Sequence, residues 1–555
     1  MNEENNENIV LEEYENEFSY KKSKTNLNIQ FNRVAFIFFI FFIISLIYSI
    51  QLLHLGSLKK NVKNKVQVFS TKNYRADIID VNGNYLVKTV RTIDVGINPS
   101  QVIDKKHLLL MLNYIFPKKK EEIKKRLNSK KFFYLEKNIS QKKYEEVMLL
   151  GDKSISSNES LIRLYPQENL FSHIIGQIDD DNNGISGIEK SFDEELKKIS
   201  EPLQLTVDTD IQFLIRKELK RYKEIFRSKG IAAILMNVNN GEVLSMVSLP
   251  DFDLNKRETI KDINYINRAT KGVYELGSVF KTFTIAAGLE AGLIEPETEF
   301  LNLKKKLKCG KNTISEYDNE IPSNLTVEQI LIRSSNIGSV RIGQKLEIEK
   351  LKSFLEKIGI LEKIDFDIEE VGEPIPFRWG KCKLATVSFG HGITTTPLQL
   401  AAGYAIISNG GFEIKPTLIK QSSKKLPKKR IIKSGVSEKI NPILRKIVTT
   451  KEGTAGFANI DGYEVGGKTG TAENYNSKAK VNTFVAVFPV SHPKYTLVVL
   501  MDEPKTSSDY VYNYRNKKGS YKGTPFNTAG WTSVEVAGKI IEKIGPILAT
   551  KYIEN

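Results

Sequence analysis

Cysteine and histidine are both scarce in this chain. Of its 555 residues, two are cysteines, Cys309 and Cys382, and five are histidines. Two cysteines are too few for a disulfide framework, and the sequence leaves open whether they pair. The histidines are scattered and form no metal-ligand cluster, so the sequence implies no metal and no other cofactor.

Signatures of nucleic-acid binding are absent as well. The sequence has no zinc-finger spacing, no aromatic-basic RNA-binding motif and no amphipathic basic recognition helix. The net charge of +16, from 82 Lys and Arg against 66 Asp and Glu, therefore does not indicate a nucleic-acid partner. The abundance of Lys, Ile and Asn is typical of nucleotide-composition bias. A positive surface is also compatible with an anionic membrane and cell wall.

One long apolar run is present near the N-terminus. Residues 34–55 are uncharged and span about 33 Å as a helix. This length, and the lack of a small-x-small cleavage site, favour a single-pass anchor over residues 33–55 rather than a signal peptide. The polar residues 1–32 are predicted to be a disordered cytoplasmic tail. Lysines flank both sides of the anchor, so the positive-inside rule does not determine its orientation.

A hydroxyl and an amine lie three residues apart in the segment 274–281. Ser278 and Lys281 stand where a loop is predicted to turn into an apolar helix over 279–289, so both side chains would share one helix face. The amine of Lys281 could then take the proton of Ser278 and make it a nucleophile. Ser-x-x-Lys recurs elsewhere in this lysine-rich chain, so the spacing alone has little specificity.

Two further motifs follow in order along the chain. Ser334 and Asn336 form Ser-x-Asn after a helix-like run, where a hydroxyl could relay a proton and an amide could hold Lys281 or the substrate. The last motif is a glycine-containing strand whose amine and hydroxyls suit a carboxylate: Lys468, Thr469, Gly470 and Thr471. Ser-x-x-Lys, Ser-x-Asn and Lys-Thr-Gly, in that order, are the motif set of serine β-lactamases and penicillin-binding proteins. Burial and the charge of Lys468 are the expected causes of a lowered Lys281 pKa.

The predicted elements indicate an α+β fold. Two strand-like runs, 231–236 and 243–247, flank an Asn-Asn-Gly hairpin signal. A second pair of strands, 483–488 and 496–501, follows the Lys-Thr-Gly strand, and a helix over 530–544 closes the domain. Strands at both ends with helices between them predict an antiparallel sheet flanked by helices.

The chain resembles the class B penicillin-binding proteins, the peptidoglycan D,D-transpeptidases, from about residue 33 to about residue 545. Besides the three motifs, several segments resemble the family's membrane-proximal and pedestal signatures: 75–83, 163–166, 173–176 and 184–189. Ala76 and Val81 replace the usual glycine and arginine. The resemblance implies a membrane anchor, an elongated dimerisation-type pedestal over 56–200, and a penicillin-binding/β-lactamase-like transpeptidase domain over 201–555. A basic loop at 419–436 and a mobile loop at 503–526 are also expected.

The resemblance also implies roles for the motif residues. Ser278 would attack the penultimate D-Ala carbonyl of a stem peptide, and Lys281 would accept its proton. Ser334 and Asn336 would shuttle protons and orient groups. An amine from a neighbouring strand would then attack the acyl-enzyme and close the cross-link. β-Lactams would acylate the same serine.

The Lys-Thr-Gly strand would bind the substrate. By the same resemblance, the backbone N–H groups of Ser278 and Thr471 would form the oxyanion hole. Lys468, Thr469 and Thr471 would hold the terminal carboxylate, and Gly470 completes the motif.

The subgroup and partners are also expectations from resemblance. The run 388–393 with 396–401 resembles the division (septal) subgroup more than the elongation subgroup, and His391 is expected to be a packed loop histidine. The expected location is the bacterial inner (cytoplasmic) membrane with the catalytic domain outside, where a membrane-embedded glycan polymerase and division proteins would be partners. The alternatives are an elongation-type transpeptidase, a carboxypeptidase or β-lactamase, and a catalytically silent division scaffold.

Overall fold

The computed structural model describes residues 26–57, 74–256, 262–310, 312–421, 429–473, 478–515 and 518–551. The described residues divide into two compact units, 26–57 and 74–551. Parts of four predicted segments lie outside the described residues: 1–25 of the tail, 58–73 of the pedestal, 422–428 of the basic loop and 516–517 of the loop at 503–526.

The first unit contains helix α1, Asn26–Ser57. Within it, Arg33–Leu53 has a mean hydropathy of 2.6 and is the one helix of the described residues that is long and apolar enough to cross a membrane. Its large apolar side chains are exposed, Phe38 by 72% and Phe41 by 68%. Such a continuous apolar surface suits lipid, where a helix also satisfies all of its own backbone hydrogen bonds. The predicted single anchor agrees with this helix.

The N-terminal part of the second unit contains a mixed sheet and short helices. In chain order its elements are β1 Ile78–Ile79, β2 Tyr85–Ile97, α2 Lys105–Ile115, α3 Lys120–Leu127, β3 Phe133–Ile139, α4 Gln141–Met148, β4 Ile155–Leu164, α5 Ser172–Ile175, α6 Gly187–Ser191, α7 Asp193–Leu196 and β5 Leu203–Gln204. Strand β2 pairs antiparallel with β1, β3 and β4, whereas β5 pairs parallel with β1. Helices α2, α3 and α4 bury their apolar faces against this sheet in a separate small core that includes Leu112, Ile123 and Val147.

Buried charges join three of the segments that carry the family resemblance. Nε of Arg75 lies 2.5 Å from one oxygen of Glu189, and Nε of Arg163 lies 2.8 Å from the other. A second carboxylate, Asp193, contacts Arg75 at 2.6 Å. Glu189 is fully buried, and removal of one partner would leave an uncompensated charge in the interior. The segments therefore come together around one ion-pair network.

The remaining elements build the larger part of the unit. They are α8 Thr209–Ile225, β6 Gly230–Asn237, β7 Val243–Leu249, α9 Phe280–Glu290, β8 Glu299–Phe300, β9 Lys306–Cys309, β10 Asn312–Ser315, β11 Leu325–Thr326, α10 Val327–Ile332, α11 Asn336–Lys357, α12 Lys381–Val387, α13 Pro397–Ser408, α14 Ser434–Thr449, β12 Gly466–Glu473, β13 Lys480–Phe488, β14 Tyr495–Asp502, β15 Val511–Asn513, β16 Ser520–Lys522 and α15 Ser533–Lys551.

A five-stranded antiparallel sheet, in the order β12-β13-β14-β6-β7, supports the site. Every residue of β7 is buried, which requires cover on both faces of the sheet. Helices α8, α13 and α15 pack against its strands. The predicted β6–β7 hairpin, the β13–β14 pair and the α+β class are confirmed. The main core runs without a break from this sheet to Ala76, Ile78 and Leu86.

Two short hairpins were not anticipated by the sequence patterns. The segment 503–526, expected to be a mobile loop, contains β15 paired antiparallel with β16, so this part of it is a hairpin rather than an irregular loop. Strands β9 and β10 form a second hairpin directly before Glu316. The strands of both hairpins are only three or four residues long, and alternation over so few residues gives no usable periodicity.

Candidate active site

Ser278 lies at the start of a buried helix and faces a large cavity. The short 3-10 turn Gly277–Val279 leads into α9, whose residues from Phe280 to Leu289 are all buried. The Ser278 side chain is half-buried and lines a cavity of about 1460 Å³. Ser334, Asn336, Thr469 and Thr471 line the same cavity. A helix start offers unpaired N–H groups and a positive field to any charge that develops there.

Two glycines allow the Lys-Thr-Gly strand to contact the turn at Ser278. Gly277 has a φ of +63°, and a Cβ on it would lie 2.7 Å from the carbonyl oxygen of Thr471. A Cβ on Gly470 would lie 2.1 Å from the carbonyl oxygen of Leu276. Only residues without a side chain permit this backbone contact. The contact brings Thr471 beside Ser278.

Lys281 has three hydrogen-bond acceptors among the described residues. Its Nζ donates to the Ser334 carbonyl at 2.5 Å, to Ser334 Oγ at 3.1 Å and to Asn336 Oδ1 at 2.7 Å. In the protonated form of the amine these bonds use its three N–H groups, and they hold the side chain beside the second motif. The amine therefore contacts Ser-x-Asn directly, and the described bonds from it go there rather than to Ser278.

Ser334 links both lysines of the motifs. Its Oγ also accepts a hydrogen bond from Lys468 Nζ at 2.9 Å. A hydroxyl has two lone pairs and one proton, so with both lone pairs engaged its proton points to a third group. Ser334 has a φ of 57°, a left-handed conformation that costs a non-glycine residue about 1–2 kcal/mol. This backbone turn, between α10 and α11, aims Oγ at the two amines.

Burial changes the titration of both lysines. Desolvation lowers the pKa of Lys468 to about 7. Burial first, and then the charge of Lys468, holds the pKa of Lys281 well below its ordinary value, while Glu316 opposes the shift. Like charges that share one hydroxyl disfavour double protonation. One of the two amines is thus readily available as a proton acceptor near neutral pH.

Glu316 is a site residue that the sequence motifs missed. It follows β10 directly and accepts hydrogen bonds from Ser335 Oγ at 2.5 Å, from the Asn336 N–H at 2.7 Å and from the Ile337 N–H at 3.1 Å. A carboxylate at these N–H groups satisfies the start of α11 and complements its dipole. Asn336 Nδ2 also donates to the Ser315 carbonyl at 2.9 Å. The β9–β10 hairpin therefore orients Asn336.

The hydroxyls of the Lys-Thr-Gly strand are engaged within the protein. Thr469 Oγ1 lies 2.7 Å from Thr454 Oγ1, and Thr471 Oγ1 accepts a bond from the Ala529 N–H at 3.0 Å. Lys468 is fully buried. The structure thus gathers the predicted motif residues around one cavity. The amines of Lys281 and Lys468 lie below the cavity surface, and Gly470 packs on Leu276.

Cys309 and Cys382 form a disulfide, with their Cα atoms 5.4 Å apart. The bond joins β9 to α12, two elements that precede cavity-lining residues on different walls. His391, two residues before Ile393, is 30% exposed and lines the cavity, and its Nδ1 lies 2.9 Å from Glu275. The expected packed loop histidine is thus only partly packed, since its ring stacks on Phe389 while its side chain stays partly exposed. No group of three or more His, Cys, Asp or Glu in the part of the chain that the structure describes could hold a metal.

Two family models match the chain. The penicillin-binding protein transpeptidase domain matches residues 231–525, and the penicillin-binding protein dimerisation domain matches residues 70–224. The chain belongs to the penicillin-binding protein family. The resemblance seen in the motifs is confirmed, and the two matches together cover most of the second unit.

Individual relatives of this penicillin-binding protein agree with the family models. "Probable peptidoglycan D,D-transpeptidase FtsI" of Caulobacter vibrioides is 30% identical over 504 residues, which cover 86% of this chain and 82% of that protein. "Stage V sporulation protein D" of Bacillus subtilis is 28% identical over 489 residues, covering 78% and 74%. A crystal structure of a peptidoglycan synthetase from Bifidobacterium adolescentis shares the fold, with a TM-score of 0.66, 20% identity and coverage of 86% and 96%.

Proposed function

We propose that this penicillin-binding protein is a peptidoglycan D,D-transpeptidase that cross-links stem peptides through an acyl-enzyme on Ser278 during septal wall synthesis. The observation that carries the proposal is the shared hydrogen bonding of Lys281 and Lys468 to Ser334 Oγ, beside a serine at the start of α9. The family relation to D,D-transpeptidases, among them a protein named FtsI, supports both the reaction and the septal role.

In acylation, Ser278 Oγ attacks the penultimate D-Ala carbonyl, and its proton passes to Lys281. Burial and the charge of Lys468 hold the pKa of that amine well below its ordinary value, which favours its role as the proton acceptor. The proton then reaches the leaving D-Ala nitrogen through Ser334 Oγ, which contacts both amines. Asn336 keeps Lys281 in place through the bond to its Oδ1.

The oxyanion would be held by the N–H groups of Ser278 and Thr471. The Gly277–Thr471 contact supports this role because it places the two segments side by side. Each donor of this kind is worth about 2.7–4 kcal/mol in the transition state. Lys468, Thr469 and Thr471 would bind the terminal carboxylate, and a carboxylate near Lys468 would favour its protonated form.

Two further proposals concern the location of the protein and its partners. We place residues 73–555 outside the bacterial cytoplasmic membrane, on the periplasmic side, because the substrate is there. The Cys309–Cys382 disulfide supports this side, since such bonds persist in oxidising compartments. The chain would work with a membrane-embedded glycan polymerase and division proteins.

Labelling by a fluorescent penicillin tests the nucleophile. Wild-type protein in detergent should be labelled, and Ser278→Ala should not. Ser491→Ala is the matched control because Ser491 and Lys494 form another Ser-x-x-Lys, on a segment where Ser491 bonds Glu464. Labelling that persists in Ser278→Ala would end the proposal. Steady turnover of the β-lactam would favour a hydrolase instead.

Depletion of the protein followed by microscopy tests the septal role. Filamentous cells are expected for a division enzyme. Rounded cells would assign the enzyme to elongation. Complementation of the depleted strain by Ser278→Ala would show a scaffold whose catalysis is dispensable.

A further inference from the structure

A carboxylate–imidazole pair stands at the wall of the catalytic cavity and has no part in the acylation steps above. His391 Nδ1 lies 2.9 Å from Glu275 Oε2, and both side chains are about one-third exposed, at 30% and 34%. His391 lines the cavity together with Ser278, Phe389 and Gly390. Its ring stacks on that of Phe389, with the centroids 6.2 Å apart.

The backbone fixes this pair beside the nucleophile. Tyr274 and Thr395 form an antiparallel bridge with reciprocal bonds of 3.0 Å, so the segment before Ser278 runs along the segment after His391. A Cβ on Gly390 would lie 1.9 Å from the carbonyl oxygen of Gly277. Gly277 therefore contacts the Gly390–His391 loop through its carbonyl and the Lys-Thr-Gly strand through its Cα. Both segments therefore contact the residue that directly precedes Ser278.

The charges around the pair favour an ionised Glu275. Burial raises the pKa of this carboxyl, but the hydrogen bond from His391, the charge of that ring when it is protonated, the Gly392 N–H and the charge of Lys383 outweigh it and lower the pKa. Lys383 Nζ donates to the Gly392 carbonyl and so steadies the same loop. Asp318 and Glu320 line the cavity as well. An ionised Glu275 that accepts from Nδ1 selects the tautomer in which Nε2 carries the lone pair of the neutral ring.

The second half of the reaction needs such a base. An alkylamine has a pKa near that of lysine, about 10.4, so at pH 7 only roughly one molecule in 2,500 is unprotonated and nucleophilic. Lys281 and Ser334 are already placed to carry the proton that the amine loses as the amide bond forms. The earlier proton, the one that makes the acceptor an ammonium, must leave before the attack, and a base at the cavity wall offers it an acceptor besides water.

Resting on the transpeptidase function proposed above, we propose that His391, oriented by Glu275, takes the proton of the acceptor ammonium before it attacks the acyl-enzyme. The ammonium transfers one proton to His391 Nε2 and becomes a free amine. The amine nitrogen bonds to the acyl carbon, its second proton passes to Lys281, and Lys281 returns that proton to Ser278 Oγ as the ester C–O bond breaks. His391 releases its proton to water, so the products are the amide, the free serine and one proton.

Separate measurements of acylation and of amine capture test the proposal. Acylation is the rate of labelling by a fluorescent penicillin. Amine capture is the ratio of aminolysis to hydrolysis of a D-alanyl thioester donor with D-alanine as the acceptor. His391→Gln should keep acylation within about threefold and lower the capture ratio about 100-fold, the size typical of a lost general base. Glu275→Gln keeps an acceptor for Nδ1 without the charge and should lower the ratio less, about tenfold.

The controls separate chemistry from structure. His107→Gln, at an exposed position of α2, should match the wild type in both measurements. Hydroxylamine is unprotonated at neutral pH, so its capture by His391→Gln should equal that by the wild type. The inference is overturned by a D-alanine ratio within twofold of the wild type, by an equal loss in acylation, or by an equal loss with hydroxylamine. A wild-type protein that no penicillin labels would instead overturn the proposed function.

Discussion

Lys281 and Lys468 both donate to Oγ of Ser334, at 3.1 Å and 2.9 Å. The two amines come from a helix and a strand that are far apart in the sequence, and both are fully buried. Desolvation and mutual repulsion lower the pKa of Lys281, so its availability as a base depends on its neighbour. The pH profile of acylation follows from this relationship.

Replacing Lys468 with Met should move the pH dependence of acylation. Lys281 must be neutral to accept the serine proton, so acylation rises as pH passes its pKa. Loss of the neighbouring charge raises that pKa, and the rising limb should shift to higher pH. The measurement is the penicillin acylation rate from pH 5 to 10. Lys451→Met, at an exposed cavity residue, should leave the pH dependence of acylation unchanged. An unchanged pH dependence in Lys468→Met would contradict the coupling of the two lysines.

Lys468 should also make stability depend on pH. Its pKa is about 7 in the folded protein and near 10.5 when exposed, so the unfolded chain binds more protons between these values. Stability of the wild type relative to Lys468→Met should therefore increase as pH rises from 7 toward 10, by up to about 1.4 kcal/mol per unit. Thermal melting of both proteins in detergent at several pH values measures this difference in stability. A difference that stays constant, or falls, would be inconsistent with a buried neutral lysine.

Glu316→Gln should slow acylation although Glu316 is not part of any motif. The variant loses the charge that holds the Ser335 hydroxyl and the Asn336 N–H, and Asn336 in turn holds Lys281. Displacement of a positioning group by about 1 Å reduces rates up to about 100-fold. Stability should fall by about 1–3 kcal/mol. Glu328→Gln, on α10, is the control, and an unchanged acylation rate in Glu316→Gln would refute the role.

Gly470→Ala should abolish or strongly reduce penicillin labelling. The new Cβ would lie 2.1 Å from the Leu276 carbonyl, so the Lys-Thr-Gly strand must move away from Ser278. Gly435→Ala, on α14, meets no atom within 4 Å and should be labelled like the wild type. Circular dichroism distinguishes local displacement from unfolding. Full labelling of Gly470→Ala would mean that the close contact is not required.

Replacing Cys309 and Cys382 with Ser should destabilise the protein. The bond closes a segment with a sequence separation of 73, for which the chain-entropy model gives about 4 kcal/mol. Urea unfolding of the double variant, compared with the wild type with and without a reducing agent, measures the loss. If reduction and substitution leave the midpoint unchanged, the bond adds no stability.

Local sequence patterns determined the elements of this fold. The two apolar runs beside Asn239–Gly241, the apolar run after Ser278 and the uncharged stretch 34–55 each depend on neighbours within one helix turn or one hairpin. The β6–β7 hairpin, α9 and α1 were predictable for that reason. The order of the three motifs identified the family because each carries chemistry in its own few residues.

Tertiary structure alone decided the environment of the nucleophile. Nothing in the spacing of the chain places Glu316 at the start of α11, Glu275 beside His391, or two amines on one hydroxyl. These contacts join residues 20 to 134 positions apart, and each depends on how elements pack rather than on local periodicity. The pKa values that make the chemistry feasible come from burial, which only the folded chain supplies.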